Sequence, residues 1–218
     1  MNKKNKWLKI LFWVLTFLPF LISAGFYSHL PAQVATHFNA SGAADGYSSR
    51  TFAAFGLPVF YIVVTLVTIV MMKIDPRSKN IERSSQLKTA VLWGMVLLFN
   101  LGHTAVLLNA VHVRVNISVI LGIAVGLLFL VIGNYLPKCR PNYTMGIKLP
   151  WTLANEDNWR KTHRFAGPLW MVGGVLIMLS AFFASVWVTV AVVVSILLCA
   201  APAVYSYLLF RHEQGNRQ

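Results

Sequence analysis

Residues 133–167 form a long segment that is neither apolar enough for a membrane nor plain enough for a linker. The residues in it that could shape a site are Asn134, Pro137, Asn142, Gly146, Pro150, Trp151, Asn155, Glu156, Trp159, His163 and Arg164. Glu156 and His163 come nearest to an acid–base or metal-binding pair, but on a helix they would lie two turns apart and would need a third ligand. The sequence lacks HExxH, a Gly-x-Ser-x-Gly elbow, a phosphate-binding glycine loop and paired carboxylates. It therefore predicts no catalysis, metal or other cofactor.

This segment is predicted to begin as a structured loop and to end as a helix. A glycine and three prolines between 137 and 150 forbid a continuous helix. Asn155 can then cap a helix in which Glu156 pairs with Arg160 four residues on. Trp159 and His163 share another face of that helix. The pattern is typical of an amphipathic interfacial anchor that leads into a membrane helix.

Asn100 and His103 are polar residues inside an apolar run, three positions apart and so on one helix face. Polar groups at membrane depth are costly and normally face other helices, where they form interhelical hydrogen bonds, relays or ion paths. The hydrogen bond is the favoured interpretation. A proton-coupled transporter is disfavoured because the apolar runs contain no carboxylate.

The loop at 28–51 is longer than a connection between two helices requires. Leu-Pro, Ser-Gly and Asp-Gly pairs in it are turn and helix-end signals. The polar residues that remain are candidates for contact with a partner, namely His37, Asn39, Asp45, Tyr47 and Arg50. Asn39 also opens an Asn-x-Ser/Thr triplet, a pattern that recurs at Asn116 and Asn142.

The composition places most of the chain in lipid. It is 57% hydrophobic and only 11% charged, which is more apolar surface than a soluble domain of 218 residues can bury. The net charge of +13 sits in short runs between apolar stretches, as expected for membrane topology rather than for direct nucleic-acid binding. The two cysteines show neither disulfide nor zinc spacing.

The apolar runs predict an all-α, polytopic membrane protein made of one six-helix bundle. The transmembrane helices are predicted at 10–27, 52–72, 89–111, 117–136, 166–184 and 186–210. Residues 166–210 as one helix would measure about 68 Å, roughly twice the hydrocarbon thickness, so a turn is expected around Ala184, Ser185 and Val186. The first run is too long for a signal peptide and is predicted to be retained.

Charge counting predicts the orientation of the helices. With six spans, 17 of the 19 Lys and Arg residues fall on one side, and only Arg50 and Arg114 fall on the other. Both termini and the loop at 137–165 are therefore predicted to be cytoplasmic, and the loop at 28–51 to be external.

Two stretches resemble a known family. GNYLPKCRPNYTMGIKLPWTLANEDNWRKTHRFAG, at 133–167, resembles the signature of the SdpI family, which comprises bacterial immunity proteins against a secreted toxic peptide. LPAQVATHFNASGAADGYSSR, at 30–50, is similar to a short domain of unknown function found at the start of such proteins.

The resemblance implies a multi-pass protein of the bacterial plasma membrane that protects its cell from a sporulation-delaying type of toxin peptide. It also implies signalling, in which a small repressor is held at the cytoplasmic face. On this basis the polar residues of the external loop are toxin-facing candidates, and those of the 133–167 segment are candidates for regulator docking. The alternative is a membrane sensor or regulatory anchor without immunity, and a transporter ranks below both.

Overall fold

A computed structural model describes residues 3–39, 43–113, 115–183 and 186–215, which are mainly helical. The α-helices within these ranges are α1 (Lys3–Phe26), α2 (Leu57–Ile74), α3 (Ser78–Arg83), α4 (Ser85–Ala110), α5 (Ile117–Tyr135), α6 (Pro150–Ala154), α7 (Glu156–Ser180) and α8 (Trp187–Gly215). A π-helical turn, Phe52–Gly56, leads into α2. The remaining elements are two short strands and two 3-10 turns.

Five segments in the described ranges are long and apolar enough to cross a membrane. They are Lys6–His29, Phe52–Ile74, Ser85–Ala110, Ile117–Lys138 and Trp187–Gly215. Each overlaps a predicted span. The other predicted span, 166–184, belongs to α7, whose first turns are charged. The predicted turn at Ala184 and Ser185 lies outside the described residues, as does Arg114.

α5 and α7 form the most extensive helix-to-helix contact, and they meet through small residues. The close approaches pair Gly133 with Gly167, Gly126 with Gly174, and Gly122 with Ala181. A Cβ atom added to Gly126 would lie 2.5 Å from the carbonyl oxygen of Gly174, so the two backbones nearly touch. The partners run in opposite directions along the chain, and the helices are therefore antiparallel. The contact from Gly167 to Ala181 extends over about 21 Å of helix.

A proline in α8 creates a second link between helices. Pro202 has no N–H group, so the carbonyl of Leu198 lacks its usual partner within the helix. The indole Nε1 of Trp170, on α7, donates a hydrogen bond to this carbonyl at 3.0 Å. The bond joins the middle of α7 to the middle of α8.

The loop at 28–51 contains a β-hairpin, which corrects the prediction of a purely helical chain. β1 (Gln33–Phe38) pairs antiparallel with β2 (Ala44–Ser49), with Ala35 opposite Tyr47 and a register shift beyond Ala35. Val34 is only 1% exposed and belongs to an apolar cluster with Leu107, near the end of α4. The hairpin is therefore packed against the helices.

Apolar clusters lie at opposite ends of the bundle. One includes Leu30, Val34 and Leu107 beneath the hairpin. The other surrounds Trp159 and Leu136 within the 133–167 segment. Many apolar side chains between these ends are exposed, as expected for surfaces that face lipid.

Candidate functional site

Asn142 organises the loop at the start of the 133–167 segment. Its fully buried side chain accepts hydrogen bonds through Oδ1 from the backbone N–H groups of Thr144 and Met145, at 2.9 and 2.6 Å. Its Nδ2 donates to the carbonyl of Arg140 at 2.8 Å. One side chain thus forms hydrogen bonds with three backbone groups of the loop, which lie outside any helix or strand. Its burial also removes the Asn142 triplet as a modification site.

His163 is a buried acceptor with a defined tautomer. Its Nε2 accepts from the backbone N–H of Ile147 at 2.9 Å, and its Nδ1 lies 2.8 Å from the carbonyl of Trp159. A backbone N–H can only donate, so Nε2 carries no proton and Nδ1 carries one. Burial lowers the pKa of His163 to about 4. The ring is neutral and has both nitrogens engaged, which leaves no free nitrogen for acid–base chemistry.

Gly146 passes directly over this histidine. Its φ of +95° favours glycine, and a Cβ there would lie 2.5 Å from Nε2 of His163. The loop backbone can reach the histidine only because this position has no side chain.

Trp159 is a core residue rather than an interfacial anchor, which corrects the interpretation from sequence. It is 1% exposed, stacks on His163 with ring centroids 4.1 Å apart, and donates from Nε1 to the carbonyl of Cys139 at 2.8 Å. Burial raises the pKa of the Cys139 thiol to about 12, so the thiol stays protonated. The indole therefore holds the loop to α7 from inside the protein.

The predicted cap of α7 is confirmed, whereas the predicted ion pair is wrong. The side chain of Asn155 accepts from the backbone N–H groups of Asp157 and Asn158. Arg160 bonds to Asp157 instead of Glu156, and Lys161 bonds to the same carboxylate. These hydrogen bonds, that of Lys161 first, hold the pKa of Asp157 below its usual value.

Asp75 binds the loop of the 133–167 segment, and nothing in the sequence predicted this role. This carboxylate, 5% exposed at the end of α2, accepts from the backbone N–H groups of Arg77 and Tyr143 and from the hydroxyl of Thr144 at 2.6 Å. It fastens the loop to α2 across 68 positions of sequence. The Asp-Pro pair at 75–76 is a local turn signal, but nothing near it in sequence indicates the distant partners.

The other side of the 133–167 segment is tied to α8. The indole Nε1 of Trp151 donates to the hydroxyl of Ser206, and the amide of Asn158 donates to the Ser206 carbonyl, both at 2.9 Å. Asn155 donates to the carboxylate of Glu213 at 2.7 Å. The segment therefore links the ends of α2, α7 and α8.

The predicted docking candidates of this segment fall into three groups. Asn142, Trp159 and His163 are buried, and Pro137 packs on Gly167. Asn134, Pro150, Glu156 and Arg164 are exposed. Gly146, Trp151 and Asn155 are half-buried. The exposed group is therefore the most accessible to another molecule, and the buried group is not accessible without rearrangement of the loop.

A large open groove lies at the opposite end of the bundle, between the hairpin and the α4–α5 connection. Its volume is about 1080 Å³. Ala35 and Tyr47 line it from the hairpin, and Asn109, Val113 and Asn116 line it from the helix ends. Its described walls mix apolar and uncharged hydrogen-bonding groups, a combination suited to an amphipathic ligand.

The five polar candidates of the 28–51 loop, which the sequence could not rank, have different environments in the structure. Tyr47 is 61% exposed and lines the groove. His37 and Asp45 form an exposed pair across the hairpin at 2.6 Å. Asn39 Oδ1 accepts from a backbone N–H at the hairpin end. The Arg50 guanidinium lies 4.9 Å from the centre of a tyrosine ring and packs on the protein itself.

Asn100 and His103 both make hydrogen bonds between helices. Pro19 leaves the carbonyl of Leu15 without its helical partner, and the Asn100 Nδ2 of α4 donates to it at 2.9 Å. Nε2 of His103 lies 2.7 Å from the hydroxyl of Ser23 on α1. Both residues therefore form the interhelical hydrogen bonds that the sequence favoured.

Within the described ranges, no group of three or more His, Cys, Asp or Glu side chains could hold a metal ion. The 133–167 segment thus offers a rigid, internally bonded scaffold with an exposed charged edge. The groove offers a binding surface.

These features define a multi-pass helical membrane protein of the bacterial plasma membrane. Residues 138–206 match the SdpI/YfhL protein family, and residues 14–62 match a domain of unknown function (DUF1648). The first match confirms the resemblance to the SdpI family that the residues at 133–167 indicated.

A relative with a known name is similar along almost the whole chain. It is the "Immunity protein SdpI" of Bacillus subtilis (strain 168), which is 27% identical over 205 residues, covering 94% of this chain and 96% of that protein. No solved structure matches the chain.

Proposed function

We propose that this chain is a membrane immunity protein that protects its cell from a secreted, membrane-active toxin peptide. The observation that carries the proposal is the end-to-end similarity to a protein named for immunity, which covers 94% of this chain. With 205 aligned residues, the similarity is long enough to include residues from both ends of the bundle, which supports a role for both ends in the same function.

The groove under the hairpin is the proposed meeting place with the toxin. It opens at the helix ends, where a peptide lying in the outer membrane interface would arrive. The apolar side chains among its described walls can accept the apolar face of such a peptide, while Asn109 and Asn116 can bond its polar groups. Tyr47 is the external candidate best placed for contact.

The proposed topology has six spans, with both termini and the 133–167 segment in the cytoplasm. The antiparallel backbone contact of α7 with α5 supports a sixth span, because α5 is itself long enough to cross and α7 follows it for about 21 Å. The positive-inside distribution of Lys and Arg supports the orientation.

Cysteine labelling of a variant without native cysteines tests this topology. Asp45→Cys and Lys148→Cys place reporters at exposed positions at opposite ends of the protein. An impermeant maleimide added to intact cells should label only Asp45→Cys. Labelling of Lys148→Cys instead would reverse the orientation and the roles of both ends.

A survival assay tests immunity. The chain, expressed in a toxin-sensitive strain, should raise survival against a secreted sporulation-delaying-type peptide. Ala35→Trp fills the groove and should abolish protection, whereas Ala43→Trp adds the same bulk at an exposed hairpin position that does not line the groove. Membrane abundance is matched by immunoblot.

The outcomes separate the two parts of the proposal. An absence of protection by the unmodified chain against any such peptide rejects immunity. Protection that survives Ala35→Trp keeps immunity but rejects the groove as the contact site.

A second candidate function is the retention of a soluble repressor at the cytoplasmic face. The exposed charged edge of α7 favours it, since Arg164 projects outward beside Arg160 and Lys161. Arg164→Glu should release a coexpressed repressor from the membrane fraction while protection and abundance persist. Retention equal to that of the unmodified chain would eliminate this edge as the docking surface.

A further inference from the structure

A groove between α4 and α5 lies at the same end of the bundle as the 133–167 segment. It consists of two adjoining cavities of about 360 and 40 Å³, which share Ser85, Gln86 and Tyr135 in their walls. The larger cavity is open and reaches Trp93 and Val131. The smaller one reaches Arg83 and Lys138.

The two halves of the groove differ in chemistry along the helix axis. Ala90, Trp93 and Val131 give the larger half an apolar floor, at positions inside the two spans Ser85–Ala110 and Ile117–Lys138. The smaller half sits where both spans end, and carries two cations with hydroxyl and amide groups between them. The groove therefore changes from apolar to basic where a membrane changes from hydrocarbon to headgroups.

The two cations are available to a ligand. Arg83 and Lys138 are both exposed, and no acidic side chain in the described part of the chain bonds to either. The nearest acid in sequence, Glu82, bonds to Lys88 instead. Lys138 Nζ is held 5.7 Å from the centre of the Tyr135 ring, which keeps it at the groove wall.

We propose that this groove binds one anionic phospholipid from the surrounding leaflet. Its phosphate lies between Arg83 and Lys138, and an acyl chain lies along Ala90, Trp93 and Val131. A free phosphate ester would use only the smaller half and leave the apolar floor exposed. A zwitterionic lipid would bring its own cation against the two basic side chains. The geometry thus selects a lipid with net negative charge.

Native mass spectrometry of the purified full chain tests the site, with dioleoylphosphatidylglycerol and dioleoylphosphatidylcholine as probes. The unmodified protein should retain one phosphatidylglycerol in preference to phosphatidylcholine. Arg83→Gln with Lys138→Gln should weaken phosphatidylglycerol binding about thirtyfold, since each basic residue at an anionic surface contributes about fivefold. Phosphatidylcholine binding should change little.

Matched variants guard against a general effect of charge. Lys79→Gln with Arg211→Gln removes two exposed cations outside the groove and should leave phosphatidylglycerol retention unchanged. Ala90→Phe should block the apolar half and reduce retention without any change in charge. Circular dichroism and gel filtration establish that each variant is folded, and a variant that fails this check is replaced by Arg83→Gln or Lys138→Gln alone.

The proposal is overturned if both double variants weaken binding equally, if phosphatidylcholine is retained as well as phosphatidylglycerol, or if glycerol phosphate competes as strongly as the intact lipid. None of these results depends on toxin protection, so the lipid site and the immunity function stand or fall separately.

Discussion

The loop around Asn142 offers the most direct test of the structure. Asn142→Ala would remove the acceptor for two backbone N–H groups and the donor to one backbone carbonyl, in a position with no exposed surface. Each buried polar group left unpaired costs about 1–3 kcal/mol, and loop relaxation or water entry lowers the total. A loss of about 3 kcal/mol is therefore expected.

The assay is thermal unfolding of the purified protein in detergent, followed by tryptophan fluorescence. For a chain of this size, 3 kcal/mol corresponds to a fall in Tm of about 6–12 °C. Asn134→Ala is the matched control, because it removes the same side chain from an exposed position of the same segment. It should change the free energy of unfolding by less than about 0.5 kcal/mol.

Asn142→Asp separates hydrogen bonding from packing. It keeps an oxygen that can accept from Thr144 and Met145 but loses the amide donor to Arg140 and buries a charge. It should also be less stable than the unmodified protein. Equal Tm values for Asn142→Ala, Asn134→Ala and the unmodified protein would refute the idea that this side chain holds the loop together.

Two further predictions concern the contact between α5 and α7 and the buried His163 of α7. Gly126→Ala places a methyl group 2.5 Å from the Gly174 carbonyl oxygen and should lower the free energy of unfolding by about 1–3 kcal/mol. Gly25→Ala is the control, since a Cβ there has nothing within 4 Å, and it should be neutral or slightly stabilising. Thermal unfolding compares the two variants, and an equal fall in Tm would argue against the tight α5–α7 contact. Burial lowers the pKa of His163 in the folded protein to about 4, from 6.5 for an exposed histidine. As pH falls from about 6.5 to 4, the unfolded chain therefore binds this proton before the folded protein does, and this contribution to stability is lost. The drop in Tm between pH 7 and pH 5 should shrink in His163→Gln, which can still accept from Ile147, and an unchanged drop would assign the acid sensitivity to other groups.

Local signals in the sequence predicted several features well. Apolar runs located five segments that the structure also identifies as able to cross a membrane, because lipid exposure depends on the composition of a single run rather than on its partners. The cap at Asn155 was predictable for the same reason, since a cap bonds within its own turn. The hairpin was missed because helical and turn signals surround two short strands.

Burial and distant partnerships were decided only by tertiary structure. Sequence treated Trp159 and Arg164 as equivalent members of one segment, yet the first is in the core and the second is exposed. Nothing in the sequence singled out Asp75. Its carboxylate accepts a hydrogen bond from the backbone N–H of Tyr143, which lies 68 positions away.

Composition and local pattern are enough to assign the chain to a membrane, to locate its apolar segments and to find the family that it resembles. Only the fold shows that much of the family segment is a bonded scaffold between helix ends. The fold also places open surfaces beneath the hairpin and between α4 and α5, where Tyr135 and Lys138 of the segment form part of the groove wall. The physical reason is that a buried polar group must find its partner wherever the fold brings one, and sequence distance does not constrain that choice.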